Sequence, residues 1–359
     1  MPVADATMPR DRSMLATNDR CADPAKRRLA RGQGSIVAPV RRVLSAGTIL
    51  LALLAGAPVR AQMPPAETVR DAITGLPRQP VHVTAWPGGK KVAVTFVLYV
   101  EVWGTGHGPN FRTDMNGRDP DVVDEAFRTY AIDWGVTRVG RLFREQGVPL
   151  TIALNAQFPS AHPDIWRRLR ESVPSAPILG HGLNNSTQLL PLGQGLAAQQ
   201  AYIRRTLDLL EKETGRRPIG WSSPSVFPNG DTFPATAAEG IRYTLDSMDS
   251  DILSRLRTPS GPLLQIPYPA VTVDMGQYLS RGKEPADLER LWIDYVGELA
   301  REATADTARE ATVVAIGIHP FVVGTPSGAA AMRRVLEALK ALDPVWLTDT
   351  QAVFEASGR

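Results

Sequence analysis

Val92-Ala-Val-Thr-Phe-Val-Leu-Tyr-Val100 is a nearly continuous run of β-branched, aliphatic and aromatic residues, and Glu101 follows it directly. Such a run predicts a strand that is buried on both faces, as in a parallel sheet covered by helices. His181 and His319 each follow a further apolar run of the same kind. Three ionisable side chains at three predicted strand ends therefore indicate a site.

Strand and helix patterns alternate along the chain after this first run. Helical periodicity is clear at residues 124–147, 196–215, 285–303 and 327–342. Further strands are predicted at residues 150–154, 178–181, 218–221, 243–246, 262–267 and 312–318, with a weaker one at 345–347. Seven or eight β–α units in about 270 residues, without a break in composition, predict one α/β domain.

Two architectures fit this alternation, a closed β/α barrel and an open doubly wound sheet. The residues at or just past the predicted strand ends are polar: Glu101, Asn155, His181, Ser222, Asp246 and His319. In a β/α barrel these ends meet on one face, where the chemistry is carried. An open sheet would gather polar residues mainly at one switch point. The pattern favours a single-domain barrel over residues 91–359, preceded by a Pro- and Gly-containing lead-in at residues 62–90.

The first 61 residues have a different composition from the rest. Arg41-Arg42 precede an apolar run of 15 residues, 43–57, and Val59-Arg-Ala61 has the small-x-small form of a cleavage site. This order is typical of a secretory signal peptide, and the run is shorter than the roughly 20 residues that span a bilayer. We expect export to the periplasm with cleavage near Ala61; an uncleaved anchor is the alternative.

Cleavage would change the charge of the protein. Ten of the 40 basic and four of the 37 acidic residues precede residue 62, which leaves 30 and 33. The excess of basic over acidic residues thus lies in the leader and gives no reason to expect nucleic-acid binding. Cys21, the only cysteine, is also in the leader, so the mature chain has no disulfide and no cysteine ligand.

Five short motifs occur in order after residue 91. They are Gly180-His181-Gly182, Trp221-Ser-Ser-Pro224, Tyr243-Thr-Leu-Asp246, Ile266-Pro-Tyr268 and Ile318-His319-Pro320. Together they resemble the polysaccharide deacetylase superfamily, especially its branch with metal-independent allantoinase and peptidoglycan-deacetylase-like proteins. The resemblance implies a distorted seven-stranded β/α barrel that hydrolyses C–N bonds other than peptide bonds, chiefly N-acetyl groups of amino sugars.

The chain departs from that family at the positions that bind metal. Where typical members carry paired aspartates at the end of strand one, this chain has Val97-Leu98, and Glu101 is its first acid. Their His-x-x-x-His motif is represented by His181 and Asn185. His181 is thus the only residue matching a family zinc ligand, and a catalytic zinc normally has three protein ligands. A divalent metal such as zinc stays open as a cofactor, with an incomplete ligand set.

The resemblance assigns roles to the ionisable residues. His319 matches the family's general acid and would protonate the leaving nitrogen, while Glu101 would orient or deprotonate water. His181, helped by Asn185, would polarise the carbonyl or hold the oxyanion. A histidine after an apolar strand is often only structural, so these roles depend on whether the three side chains converge.

Trp221, Ser222 and Asp246 are the predicted substrate contacts. The substrate would be a small-molecule or saccharide amide, and a deacetylase acting on an amino sugar or polysaccharide is the first interpretation. Allantoinase-like hydrolysis without a metal is an alternative. A barrel that binds glycan without catalysis is another, because the paired aspartates and the second histidine are missing. The oligomeric state is open, with a homo-oligomer among the options.

Overall fold

The computed structural model describes residues 74–105, 107–108, 121–186, 195–226 and 228–358. The predicted leader, residues 1–61, lies outside the described residues. Within them the strands are β1 (Arg78–Pro80), β2 (Val92–Val100), β3 (Thr151–Leu154), β4 (Ile178–Gly180), β5 (Gly220–Trp221), β6 (Tyr243–Ser247), β7 (Ser254–Thr258), β8 (Gly261–Pro267), β9 (Thr312–Ile318) and β10 (Val345–Thr348).

Helices follow most of the strands. They are α1 (Val122–Tyr130), α2 (Val136–Gln146), α3 (Phe158–Ala161), α4 (Pro163–Ser172), α5 (Leu196–Thr214), α6 (Thr232–Ala238), α7 (Pro285–Ala305), α8 (Pro326–Lys340) and α9 (Thr350–Ala356). None of the helices in the described residues is both long and apolar enough to cross a membrane.

All strands belong to one sheet with the order β1-β7-β8-β6-β5-β4-β3-β2-β10, and β9 pairs with β2. The pairs from β8 through β6, β5, β4 and β3 to β2 are parallel, as are those of β2 with β9 and β10. β1 and β7 form an antiparallel edge beside β8. The eight predicted strands are present within two residues of their predicted bounds, whereas β1 and β7 were not predicted.

β2 is the central strand, and both of its faces are buried. Every residue from Val92 to Val100 has at most 1% of its surface exposed, as its apolar sequence predicted. Val94 and Phe96 face a core shared with the helices. Val97 and Tyr99 belong to a second core, which is formed largely by side chains of the other strands. The sheet is therefore covered on both faces.

The segment that follows β8 approaches β9. The segment after β8 makes one parallel bridge to β9, between Val273 and Gly317. A single bridge is not a ladder, so the closed seven-stranded barrel stays a prediction, while the α/β class and the single sheet are confirmed.

A five-residue π-helix, Ala131–Gly135, joins α1 to α2 and lies against the loop after β9. A Cβ atom at Gly135 would stand 2.5 Å from the carbonyl oxygen of Pro320, and one at Gly324 would stand 2.5 Å from Cα of Gly135. Such π-bulges are often found at functional sites. The two glycines let a helix backbone contact the loop that carries His319.

We expect Gly135→Ala to lower the free energy of unfolding by about 1–3 kcal/mol, because the added methyl group overpacks a backbone contact. Gly297→Ala is the matched control, since Gly297 lies within α7 and nothing stands within 4 Å of its added Cβ. That substitution should be neutral or stabilise the protein by up to about 1 kcal/mol. Urea denaturation of both variants tests the difference, and equal midpoints would contradict the proposed packing.

Candidate active site

The carboxyl ends of β2, β4 and β9 bring together the three ionisable side chains singled out in the sequence. Glu101 Oε1 lies 3.2 Å from Nε2 of His181 and 3.9 Å from Nε2 of His319. The exposed fractions of the side chains are 6% for Glu101, 1% for His181 and 3% for His319. The convergence on which the catalytic interpretation depends is therefore present. We call this group the Glu101 cluster.

Donor and acceptor chemistry fixes the orientation of His181. Its Nδ1 lies 2.8 Å from the backbone carbonyl of Ser222. A carbonyl only accepts, so Nδ1 carries a hydrogen. The other ring nitrogen, Nε2, faces the carboxylate of Glu101 at 3.2 Å. The Ser222 carbonyl thereby directs Nε2 of His181 at Glu101.

Two asparagines complete the surroundings of Glu101. Asn155 Oδ1 accepts from the backbone N–H of Val102 at 2.9 Å, so its amide N–H groups point the other way. They donate to the carbonyl of His181 and to Oδ1 of Asn185, the latter at 3.1 Å. The amide nitrogen of Asn185 is then left to donate to Oε1 of Glu101. Asn155 thus sets the orientation of Asn185 and ties three strand ends together.

Asp274 holds His319 at two points. Its Oδ1 lies 2.6 Å from Nδ1 of the ring, and its Oδ2 accepts from the backbone N–H of His319 at 2.6 Å. Burial by itself lowers the pKa of His319, but the charge and hydrogen bond of Asp274, with a contribution from Glu101, raise it above its usual value. Nδ1 donates to Asp274, so Nε2 is the nitrogen that faces the Glu101 cluster.

Asp274 was missed at the sequence level. It follows Val271-Thr-Val273, within a segment between predicted strands, and no motif marked it. An acidic residue at the end of a short apolar stretch was the available signal. Its side chain is completely buried, which is costly for a carboxylate unless it is paired.

The predicted substrate contacts surround the His181 side of the cluster. Trp221 is completely buried and its indole N–H donates to Oγ of Ser223 at 3.1 Å. Ser222 is also completely buried. Asp246 is partly exposed and accepts from the N–H and Oγ of Ser223 at 2.9 and 2.7 Å. Burial raises the pKa of the Asp246 carboxyl, and the Ser223 bonds offset part of that rise. Substrate contact by these three residues stays a prediction.

A narrow cleft opens beside Glu101. Its volume is about 20 Å³, and its walls include Glu101, Trp103, Arg128, Ile132 and Phe321. Arg128 is mostly buried and forms an ion pair with Glu125 at 2.7 Å. A space of this size suits a group no larger than about one water molecule. The described residues thus leave room for a small reacting group next to the carboxylate.

The zinc site implied by the resemblance was tested against the side chains present. Among the residues that the structure describes, no group of three or more His, Cys, Asp or Glu side chains is placed to hold a metal ion. The position of the second histidine is taken by Asn185, which directs an N–H at Glu101 rather than a lone pair at a cation. These residues do not fit the zinc site of the resemblance.

Comparison with known proteins supports the same assignment as the motifs. No protein-family model matches the chain, and no curated protein matches it. Among solved structures, the Puue allantoinase is 26% identical with a TM-score of 0.67, over 80% of this chain and 97% of that one. Together with the structure described below, this likeness supports the resemblance to the polysaccharide deacetylase superfamily. The motif-based resemblance, including its allantoinase-like branch, is confirmed.

A second solved structure has a similar fold. The structure described as a probable polysaccharide deacetylase from Pseudomonas aeruginosa PAO1 is 24% identical with a TM-score of 0.66. The alignment covers 77% of this chain and 94% of that chain. The likeness in fold therefore extends over most of the chain.

We expect Asn155→Asp to lower the free energy of unfolding by about 1–3 kcal/mol at pH 8. The substitution replaces the amide nitrogen, which donates to the His181 carbonyl and to Oδ1 of Asn185, with an oxygen that cannot donate. Asn184→Asp is the matched control: Asn184 is half-buried and donates to Gln157 Oε1 at 2.8 Å, where water can hydrate a carboxylate. Urea denaturation compares the two variants. A loss of stability in Asn184→Asp as large as that in Asn155→Asp, or larger, would contradict the stabilising role of the Asn155 hydrogen bonds.

Proposed function

We propose that the protein hydrolyses a C–N bond other than a peptide bond, with Glu101 as the base toward water and His319 as the acid toward the leaving nitrogen. The observation that carries this proposal is the position of one buried carboxylate within 3.2 Å of His181 Nε2 and 3.9 Å of His319 Nε2. Such proximity of a base, an acid and a hydrogen-bond donor is what amide hydrolysis requires.

In the first step, a water molecule attacks the carbonyl carbon of the substrate. Its oxygen forms the new C–O bond, its proton goes to Glu101, and the π electrons of the carbonyl move onto oxygen. As Glu101 takes the proton, its hold on the N–H groups of His181 and Asn185 weakens. Those groups can then donate to the oxyanion, where charge develops.

In the second step, the tetrahedral intermediate collapses. The C=O bond forms again, the C–N bond breaks, and the leaving nitrogen takes the proton from Nε2 of His319. The products are a carboxylic acid and an amine. The proton on Glu101 then passes to His319, which restores both groups. No step is routed through a metal, because the residues that the structure describes do not fit the zinc site of the resemblance.

The first candidate substrate is an N-acyl amino sugar or a polysaccharide that carries one. The superfamily's chief reaction and the predicted export signal favour it. The second candidate is allantoinase-like hydrolysis of a ureide amide, favoured by the likeness to the Puue allantoinase over 97% of that chain. Both require the same two steps at the Glu101 cluster.

The proposal takes the mature protein to be a closed barrel exported to the periplasm, with cleavage near Ala61. This supports a cell-wall or saccharide substrate, and a homo-oligomer is compatible with it. Sequencing the N-terminus of the secreted protein tests cleavage, and an intact leader would favour the anchored alternative.

We expect His319→Ala to lower kcat by about 10²- to 10⁴-fold, the usual contribution of a general acid. Release of acetate from N-acetylglucosamine oligomers and ring opening of allantoin are the two assays. His82→Ala is the control, because the His82 side chain is 62% exposed and pairs with Glu310 at the surface.

The control should retain wild-type turnover. Wild-type turnover by His319→Ala would contradict the assignment of the acid. Saccharide binding by the wild-type protein without turnover of either substrate would instead favour the non-catalytic glycan-binding barrel.

Activity should depend on pH through His319. Since the proposed acid must be protonated and its pKa is raised above the usual value of about 6.5, kcat/KM should fall on the alkaline side with a midpoint above that value. Asp274→Asn removes the charge that raises this pKa, so the alkaline limb should move about 1–2 pH units lower. Asp249→Asn is the control, because the Asp249 side chain is 53% exposed and pairs with Arg78. It should leave the alkaline limb of kcat/KM in place. An unmoved limb in Asp274→Asn would contradict the role of that carboxylate.

A further inference from the structure

Tyr99 is a buried aromatic residue that neither the motifs nor the proposed chemistry uses. It lies near the end of β2, two residues before Glu101, and only 1% of its surface is exposed. Alternate side chains of a strand point to the same face. The phenol ring therefore lies on the face of the sheet where the Glu101 cluster is formed.

Both imidazole rings of the cluster contact this one ring. Tyr99 stacks on His319 with centroids 4.8 Å apart and an interplanar angle of 8°. It meets His181 in an edge arrangement, with centroids 4.9 Å apart at 67°. A ring that touches both histidines fixes the distance and the angle between them.

The hydroxyl group of Tyr99 is held as well. It shares a hydrogen bond with Oγ of Ser222 at 3.1 Å. The backbone carbonyl of the same Ser222 accepts from Nδ1 of His181. Burial raises the pKa of Tyr99 well above its usual value, so the phenol is neutral and its ring face is electron-rich. Such a face attracts a cation.

We propose that Tyr99 is a positioning residue that holds both imidazoles against Glu101 and favours the protonated form of His319 through its stacked ring. The inference rests on the proposed function only in taking His319 as the acid. The other groups that face His319 are Asp274, Glu101 and the ring of Phe321, whose centroid is 5.2 Å away at 38°. Both carboxylates favour the imidazolium form, and Tyr99 adds to them from the face of the ring.

The test is NMR titration of the histidine ring signals in the full chain, which has only five histidines. A His319→Gln spectrum identifies the signal of His319. Tyr99→Phe keeps the stacked ring and should leave the His319 titration midpoint at its wild-type value. Tyr99→Leu removes the ring and should lower the midpoint by about 0.5–1 pH unit.

Tyr243→Leu is the matched control. Tyr243 is a completely buried tyrosine of the same core that stacks on Phe354, at 5.3 Å and 24°. Its loss should leave the His319 midpoint unchanged. An unchanged or raised midpoint in folded Tyr99→Leu would overturn the proposal, and so would an equal fall in Tyr243→Leu.

Should Tyr99→Leu fail to fold, pentafluorophenylalanine at position 99 keeps the ring and reverses the sign of its quadrupole. The His319 midpoint should then lie below that of Tyr99→Phe, and equal midpoints would overturn the proposal. Neither titration uses a substrate. If the proposed hydrolysis is wrong, the wild-type protein will show no turnover of either substrate. The effect of Tyr99 on the His319 titration midpoint can still be measured in that case.

Discussion

Burial of the Glu101 carboxylate is the constraint on which the rest of the site depends. A carboxylate removed from water is stable only where donors replace its hydration. Here Asn185 donates to the carboxylate and Nε2 of His181 lies 3.2 Å from it, both in the segment that follows β4, and the amide of Asn185 is itself oriented by Asn155 at the end of β3. The ends of three neighbouring strands are therefore linked through the contacts around a single side chain.

The two histidines of the cluster begin as chemically identical residues at equivalent strand ends, and their partners make them different. His181 directs Nδ1 at a neutral carbonyl, whereas His319 directs Nδ1 at the buried carboxylate of Asp274. At the Nδ1 position, therefore, only His319 has a charged partner, and that charge favours an imidazolium ion. Different surroundings for like groups are a general way to divide acid, base and electrophile roles within one site.

The sequence predicted what depends on local pattern. The bounds of β2, the parallel strands and the three ionisable strand ends followed from apolar runs and the residues after them. β7 was not predicted, because Ser254-Arg-Leu-Arg-Thr258 is short and contains one apolar residue, Leu256. Asp274 and Asn155 were not assigned roles, since a role that consists of orienting another side chain depends on contacts such as the one across 45 residues from Asp274 to His319. The exchange of a metal ligand for Asn185 was visible in the sequence, but its hydrogen bond to Glu101 was not.

The same long-range contacts bear on how the protein matures. His181 meets Glu101 across 80 residues, and Tyr99 meets Ser222 across 123. Contacts of such high sequence separation close long loops, and proteins rich in them fold slowly. A chain that has only its first strands and helices in place cannot contain the cluster, because His319 enters with β9. The proposed hydrolysis would therefore require a chain folded through β9, which makes that activity a reporter of completed folding.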